Sequence, residues 1–383
     1  MRGPAARFGM MAVLPMLNAC DIGPGASMAE PVIVESTQLQ VLDSIVRLTD
    51  VRDVMSSNDG AIWVLDAMEP FVHIYGVDGV HRVATGRKGR GPGEMLFPAF
   101  LLNVDGEVEV WDRGTQRRLS ISSGGKISDR GSIDRRLFFH ARSDILQISY
   151  GAPFRSRWTA GSLVTAVYPK GLLTDADYRS GRVVRVQDDT LHVLVEFEDL
   201  LDAAVDEAAR NLVGIPLWDA CPDGSLRVLD PSHGRLYRLD SSGEVVDTVA
   251  LPISIEPLRA DHIRRYLHRM VVHELGSNAV GDPDVEREVE RLLRVHRRDF
   301  GTKLPSGVDL QCDKAGRTWI AEFDNSVHSL GYGADWLVIN GNISQRVRFP
   351  EGFRPFELGA RRAIGIFTDS LEAQRLVSAW LPI

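Results

Sequence analysis

The chain has 383 residues, 44% of them apolar, enough to bury a large core in one or several compact units. Its 52 acidic side chains against 44 basic ones leave a formal net charge of -8, so no global positive field exists to gather phosphates. Nucleic acid is therefore excluded as a first reading, and the short basic runs Arg87-Lys88-Gly89-Arg90 and Arg361-Arg362 read as solvated loops.

The first residues carry Arg2 and Arg7, then the apolar run from Phe8 to Leu17, then Asn18-Ala19-Cys20. This pattern predicts a signal peptide over 1–19, too short in its apolar part to span a bilayer as a helix. Leu17-Asn18-Ala19-Cys20 resembles a bacterial lipobox, which implies cleavage before Cys20 and lipid attachment to its thiol. The bland alternative is a leader with a cysteine placed there by chance. Residues 20–30 then supply a polar, glycine-bearing tether. Export to the periplasmic or other outer side of a bacterial membrane follows, with a lipid anchor as the expected attachment.

From residue 31 onward the strongest signal is a turn followed by an alternating strand. It occurs as Asp59-Gly60 before Ile62 to Asp66, as Asp105-Gly106 before Glu107 to Asp112, and as Asp223-Gly224 before Leu226 to Asp230. A degenerate copy is Asp313 to Gly316 before Arg317 to Ala321. Asp-Gly supplies left-handed turn geometry, and alternation marks a half-buried strand. Further strands and turns complete four-stranded units of about 45 residues, the period of propeller blades. The fold class expected is all-β, a six-bladed β-propeller over 31–383. Blades are placed near 40–86, 97–133, 137–180, 214–251, 305–349 and 353–382, with 181–213 left as either a short helix or a degenerate strand. Pro31-Val32-Ile33-Val34 is expected to close the ring by joining the last blade.

Between the fourth and fifth blades, 256–300 changes period. Ile263, Tyr266, Leu267, Met270 and Val271 share one helical face, and Val285, Val289, Leu292, Leu293 and Val295 share another after Asp282-Pro283. An inserted helical hairpin is expected, its apolar side against the ring. Its polar side, with Arg264, Arg265, Arg287, Glu288 and Glu290, is the possible partner face.

Besides Cys20, only Cys221 and Cys312 remain. They are able to pair in an oxidising compartment. Equivalent positions in neighbouring blades ordinarily lie beyond the roughly 4.4–6.8 Å Cα separation of a bridge, so two buried thiols are the default expectation.

The linker from Gly86 to Pro98, Gly-Arg-Lys-Gly-Arg-Gly-Pro-Gly-Glu-Met-Leu-Phe-Pro, resembles the G-x-x-G-x-G-P-G-E-F linker of bacterial six-bladed propeller lipoproteins related to the NHL-repeat group. Trp218-Asp219-Ala220, the Asp223-Gly224 turn and the segment Phe349 to Gly359 extend the likeness over most of the chain after about residue 40. The resemblance implies architecture and extracytoplasmic location, and it carries over no catalytic residue. Because strand-like segments flank the glycines on both sides, they read as a blade crossover rather than a phosphate cradle.

Lactonase and gluconolactonase propellers resemble this architecture and hold a metal near the channel through Asp, Asn and Glu. Asp66, Asp112, Asp230 and Glu322 are the candidates for such oxygen ligands, but their repetition equally suits turn residues. His262, His268 and His273 are spaced for different helix faces, no G-x-S-x-G elbow occurs, and Trp63, Trp111, Trp218, Trp319 and Trp336 suit blade packing. With no catalytic residue and no cofactor indicated, the expectation is a non-enzymatic extracytoplasmic binding or scaffold protein docking on an envelope or membrane protein complex. The alternative is a metal-dependent lactonase-like hydrolase or lyase.

Overall fold

The computed structural model describes residues 30–42, 46–132, 156–167, 179, 181–187, 190–201, 215–275, 282–295, 300, 302–323, 332–341, 343–369 and 373–381. They form a six-bladed β-propeller carrying an inserted helical segment. Every blade is built on four antiparallel strands, the first of its own run in sequence lying innermost; the last blade borrows its outermost strand from the N-terminal region, and the fifth gains an added parallel edge strand from there. The inner strands are Val51–Ser56, Pro98–Val104, Arg157–Thr159, Leu217–Ala220, Gly307–Cys312 and Phe353–Leu358.

The repeated turn joins each inner strand to the second strand of its blade. Gly60, Gly106, Gly224 and Gly316 take φ of 85°, 94°, 83° and 79°, a region that a side chain would make costly. The strands that follow are buried on both faces. In blade 1, Trp63 and Leu65 pack toward blade 2, while Ile62 and Val64 pack toward blade 6 with Ile364 and Ile366. The same division fills the other seams, with Trp111 between blades 2 and 3, Trp218 between 3 and 4, Leu229 between 4 and 5, and Trp319 between 5 and 6. The recurring tryptophans are thus seam fillers, and the ring is closed by six apolar interfaces.

The third blade lies later in the chain than its turn spacing suggests. It comprises Arg157–Thr159, Ser162–Val167, Arg182–Gln187 and Thr190–Glu196, so most of it falls outside 137–180. Its hairpin turn is Ala160-Gly161, with φ of 50° and 71°, and lacks the Asp-Gly signature. The ambiguous 181–213 segment supplies its two outer strands, then the helical turn Phe197–Leu200.

Ring closure also differs from expectation. Val32–Ile33 runs parallel to Ile343–Arg348 on the outer edge of blade 5. It is Leu39–Val41 that completes blade 6, pairing antiparallel with Gln374–Trp380. The inserted helices, Ala260–Leu275 and Pro283–Val295, turn their apolar sides chiefly toward each other. Leu267, Val271, Val285 and Val289 form one cluster with Phe300, and Phe323 is the blade 5 residue packed against it. Bridges from Leu258 to Thr302 and from Leu304 to Glu256 close the base of the insert.

The strand-end aspartates are structural. Asp66 accepts from the Thr49, Asp50 and Met68 amides at 2.7, 3.2 and 2.9 Å. Asp112 is fully buried and accepts from the Leu96, Phe97 and Gly114 amides and the Thr115 hydroxyl. Asp230 accepts from Ser232 N and contacts His233 and Arg179. Each carboxylate binds orphan donors of nearby loops. Asp112→Ala leaves several partly buried donors without an acceptor and is expected to cost about 2–3 kcal/mol, read as a lowered urea midpoint. An unchanged midpoint would contradict this role.

Candidate functional site

Six inner strands around one axis leave a channel, and one of its ends lies where the inner strands turn back. There a cavity of about 430 Å³ is lined by residues from all six blades, including Asn103, Asp105, Arg157, Trp158, Gln311 and Glu357. The helical insert leaves the ring from the opposite end, because it precedes the start of the Gly307–Cys312 strand.

Polar side chains cross every seam around this cavity. Asp53 of blade 1 accepts from the Leu101 amide of blade 2 at 2.8 Å. Asp105 of blade 2 accepts from Trp158 Nε1 of blade 3 at 3.2 Å. Arg157 of blade 3 donates from Nε and Nη2 to Asp219 of blade 4 at 2.8 and 3.3 Å, and Thr159 Oγ1 donates to the Cys221 carbonyl. Asp219 also accepts from the Cys312 amide of blade 5 at 2.8 Å. Gln311 donates to the Pro355 carbonyl of blade 6 at 3.4 Å, and Glu357 accepts from the Ser56 amide of blade 1. Lys314 pairs with Glu357 at 2.8 Å across the fifth seam.

The central charged group is Arg157. Its side chain is 34% exposed, whereas that of Asp219 is fully buried. Burial opposes the guanidinium's charge, but Asp219 beside it, with Asp53 and Asp309 farther off, outweighs burial and raises the arginine's pKa. Its Nη1 makes no hydrogen bond within the described residues and is the donor left for an occupant of the cavity.

The metal ligands considered from sequence do not converge here. Asp66, Asp112 and Asp230 hold loops, and Glu322 pairs with Arg346 at 2.5 and 3.1 Å. Among the described residues no group of three or more His, Cys, Asp or Glu side chains is placed to hold a metal ion. Of the channel aspartates, Asp219 is engaged by Arg157. The donors among the described residues therefore do not fit a metal centre.

Cys221 and Cys312 form a disulfide with a Cα–Cα distance of 5.1 Å. The expectation of two thiols fails because blades converge toward the axis, so equivalent positions at the ends of inner strands meet although outer ones do not. Both cysteines line the cavity. Cys20 lies outside the described residues, as does the side chain of His273.

On the possible partner face, Arg264 is paired with Glu286 and Glu290 across the two helices, Arg265 with Asp261, Arg287 with Asp284, and Glu288 with Arg291. These are exposed pairs of small energetic weight. Arg157 was outside the sequence-based candidates because its strand follows no recognisable turn. A signal for Asp219 and Asp309 was present, since each stands four residues before a turn aspartate, Asp223 or Asp313.

No family model and no curated protein matches the chain. Solved structures do share its shape. A member of the duf4221 family from Bacteroides vulgatus matches with a TM-score of 0.50 and 9% identity, covering 89% of this chain and 95% of that one. A virginiamycin B lyase from Staphylococcus aureus, solved with quinupristin, matches at 0.46 and 11%, covering 90% and 99%. A gluconolactonase from Xanthomonas campestris matches at 0.44 and 10%, covering 92% and 96%. The expectation of a non-enzymatic scaffold is corrected on this finding: propellers of this shape include lyases and a gluconolactonase, so the ring gives no ground for excluding catalysis.

The disulfide closes a sequence separation of 91 residues. In a chain-entropy account that is worth about 4–5 kcal/mol. Reduction is expected to lower the thermal midpoint on the order of 5–10 °C, and an unshifted midpoint with both thiols free would contradict a stabilising role.

Proposed function

We propose that the channel mouth is the active site of an enzyme that opens an ester or lactone by hydrolase or lyase chemistry, with Arg157 as the group that binds the carbonyl oxygen. The observation carrying this reading is the half-buried guanidinium whose Nη1 has no acceptor among the described residues while Nε and Nη2 are fixed by Asp219. A donor held in place before the ligand arrives stabilises charge as it develops on that oxygen.

Glu357 is the proton-handling group in this reading. It lines the cavity, is 18% exposed in its side chain, and is oriented by the Ser56 amide and Lys314. Asp105 is the second carboxylate on the cavity wall, already accepting from Trp158. In hydrolysis the base takes a proton from water as the water oxygen attacks the carbonyl carbon, and it returns that proton to the leaving oxygen as the acyl C–O bond breaks; in elimination it takes a carbon-bound proton as the double bond forms and the alkyl C–O bond breaks, releasing the carboxylate.

Gluconolactone and quinupristin are the first substrates to try, given the names of the two enzymes of similar shape. Arg157→Gln is expected to lower kcat/KM about 100-fold or more, and Glu357→Gln to lower kcat with a smaller change in KM. Circular dichroism separates these effects from unfolding. Failure of the folded wild type to open any ester or lactone, or full activity in both variants, would overturn the proposal.

We further propose that the body works outside the cytoplasm, tethered through a lipidated Cys20 and related to the lipoprotein group that its glycine-rich linker resembles. The leader and the cystine support this reading. Intact mass from the native host is expected to show a mature chain beginning at diacylated Cys20. An unmodified chain beginning at Met1 would contradict it.

A further inference from the structure

We propose that the Cys221–Cys312 cross-link is a redox-controlled positioning element, which sets Arg157 in its ligand-binding geometry only when oxidised. The proposal rests on the reading of Arg157 as the ligand anchor. The cross-link reaches Arg157 by two routes. The Cys312 amide donates to Asp219 Oδ2, the same carboxylate that holds Arg157 through Nε and Nη2. The Cys221 carbonyl accepts from Thr159, two residues beyond Arg157 on the same inner strand. Moving either cysteine therefore moves a group that fixes the guanidinium.

The cross-link also spans the seam whose two blades are farthest apart in sequence. Blade 4 ends at Ala250 and blade 5 begins at Gly307, with the helical insert between them, whereas blade 5 passes to blade 6 between Arg348 and Phe353. Backbone hydrogen bonds at the base of the insert, and from the Ser306 amide to the Pro231 carbonyl, tie the two blades away from the axis. The sulfur bridge ties them beside the cavity.

Cys312 is partly exposed, while Cys221 is fully buried. A dithiol has a defined path: its thiolate attacks Cys312 Sγ, the S–S bond breaks, and the electron pair leaves on Cys221 Sγ, which takes a proton. The second thiol of the reagent then releases Cys312 as a thiol and closes to a cyclic disulfide. In the forward direction two protein thiols pass two electrons and two protons to a donor disulfide. The site is thereby assembled in an oxidising compartment and loosened in a reducing one.

The test compares Arg157 with Arg348, whose pairing to Asp335 at 2.6 and 2.8 Å lies on the outer edge of blade 5. Phenylglyoxal labelling, read by peptide mass, is expected to modify Arg157 several-fold faster in the C221S/C312S variant than in the oxidised protein, with Arg348 unchanged. Hydrogen exchange of the 307–313 peptide in the wild-type protein is expected to rise on adding dithiothreitol, with the outer strands of the other blades protected as before. An unchanged ratio of Arg157 to Arg348 labelling in a folded variant would overturn the proposal. So would a uniform rise across the ring, which would make the bridge a global staple. Gluconolactone opening forms a separate arm, with KM raised and kcat less affected in the reduced protein. Faster Arg157 labelling with no lactone opening in either state supports the positioning element and counts only against the ester-opening reading.

Discussion

Six strands that approach one axis cannot keep their polar side chains to themselves. Each inner strand or the turn after it here reaches its neighbour with a side chain that meets a backbone amide, a carbonyl, an indole N–H or an ion partner: Asp53 to blade 2, Asp105 to blade 3, Arg157 to blade 4, Asp219 to blade 5, Gln311 to blade 6 and Glu357 back to blade 1. These bonds do two jobs at once. They satisfy donors that the crowded channel hides from water, and they fix the directions of the groups that line the cavity.

The blades were legible where their turns have special chemistry. Asp-Gly at 59–60, 105–106 and 223–224 needs φ > 0 at its glycine, and that requirement marks the sequence. Blade 3 was misplaced because Ala160-Gly161 performs the same turn without the aspartate. The closing strand was misassigned for a different reason. Val32–Ile33 and Leu39–Val41 are both short and extended, and only the partner edge, set by the tertiary fold, distinguishes them. The helical periods were clear, but an apolar stripe does not name what covers it, and the two stripes largely cover one another.

The site was less legible than the fold. Repetition drew attention to Asp66, Asp112 and Asp230, whose common feature is a common loop to hold. Arg157 has no repeated counterpart, and its value comes from contacts with residues 62 and more positions away. The cystine was hidden by the same geometry. Distance between blades depends on radius, and sequence equivalence alone does not say whether a position is at the axis or the rim. A channel residue is therefore recognised by what stands across the seam, and that is a tertiary property.

The central claim is that the channel mouth, rather than the face bearing the helical insert, takes a carbonyl ligand on Arg157. A crystal structure of the oxidised protein with a lactam analogue of an accepted lactone tests it most directly. The account predicts the analogue in the six-blade cavity with its carbonyl oxygen within hydrogen-bonding distance of Arg157 Nη1 and Asp219 still engaged by Nε and Nη2. An analogue bound elsewhere on the ring, with the cavity holding only solvent, would contradict it.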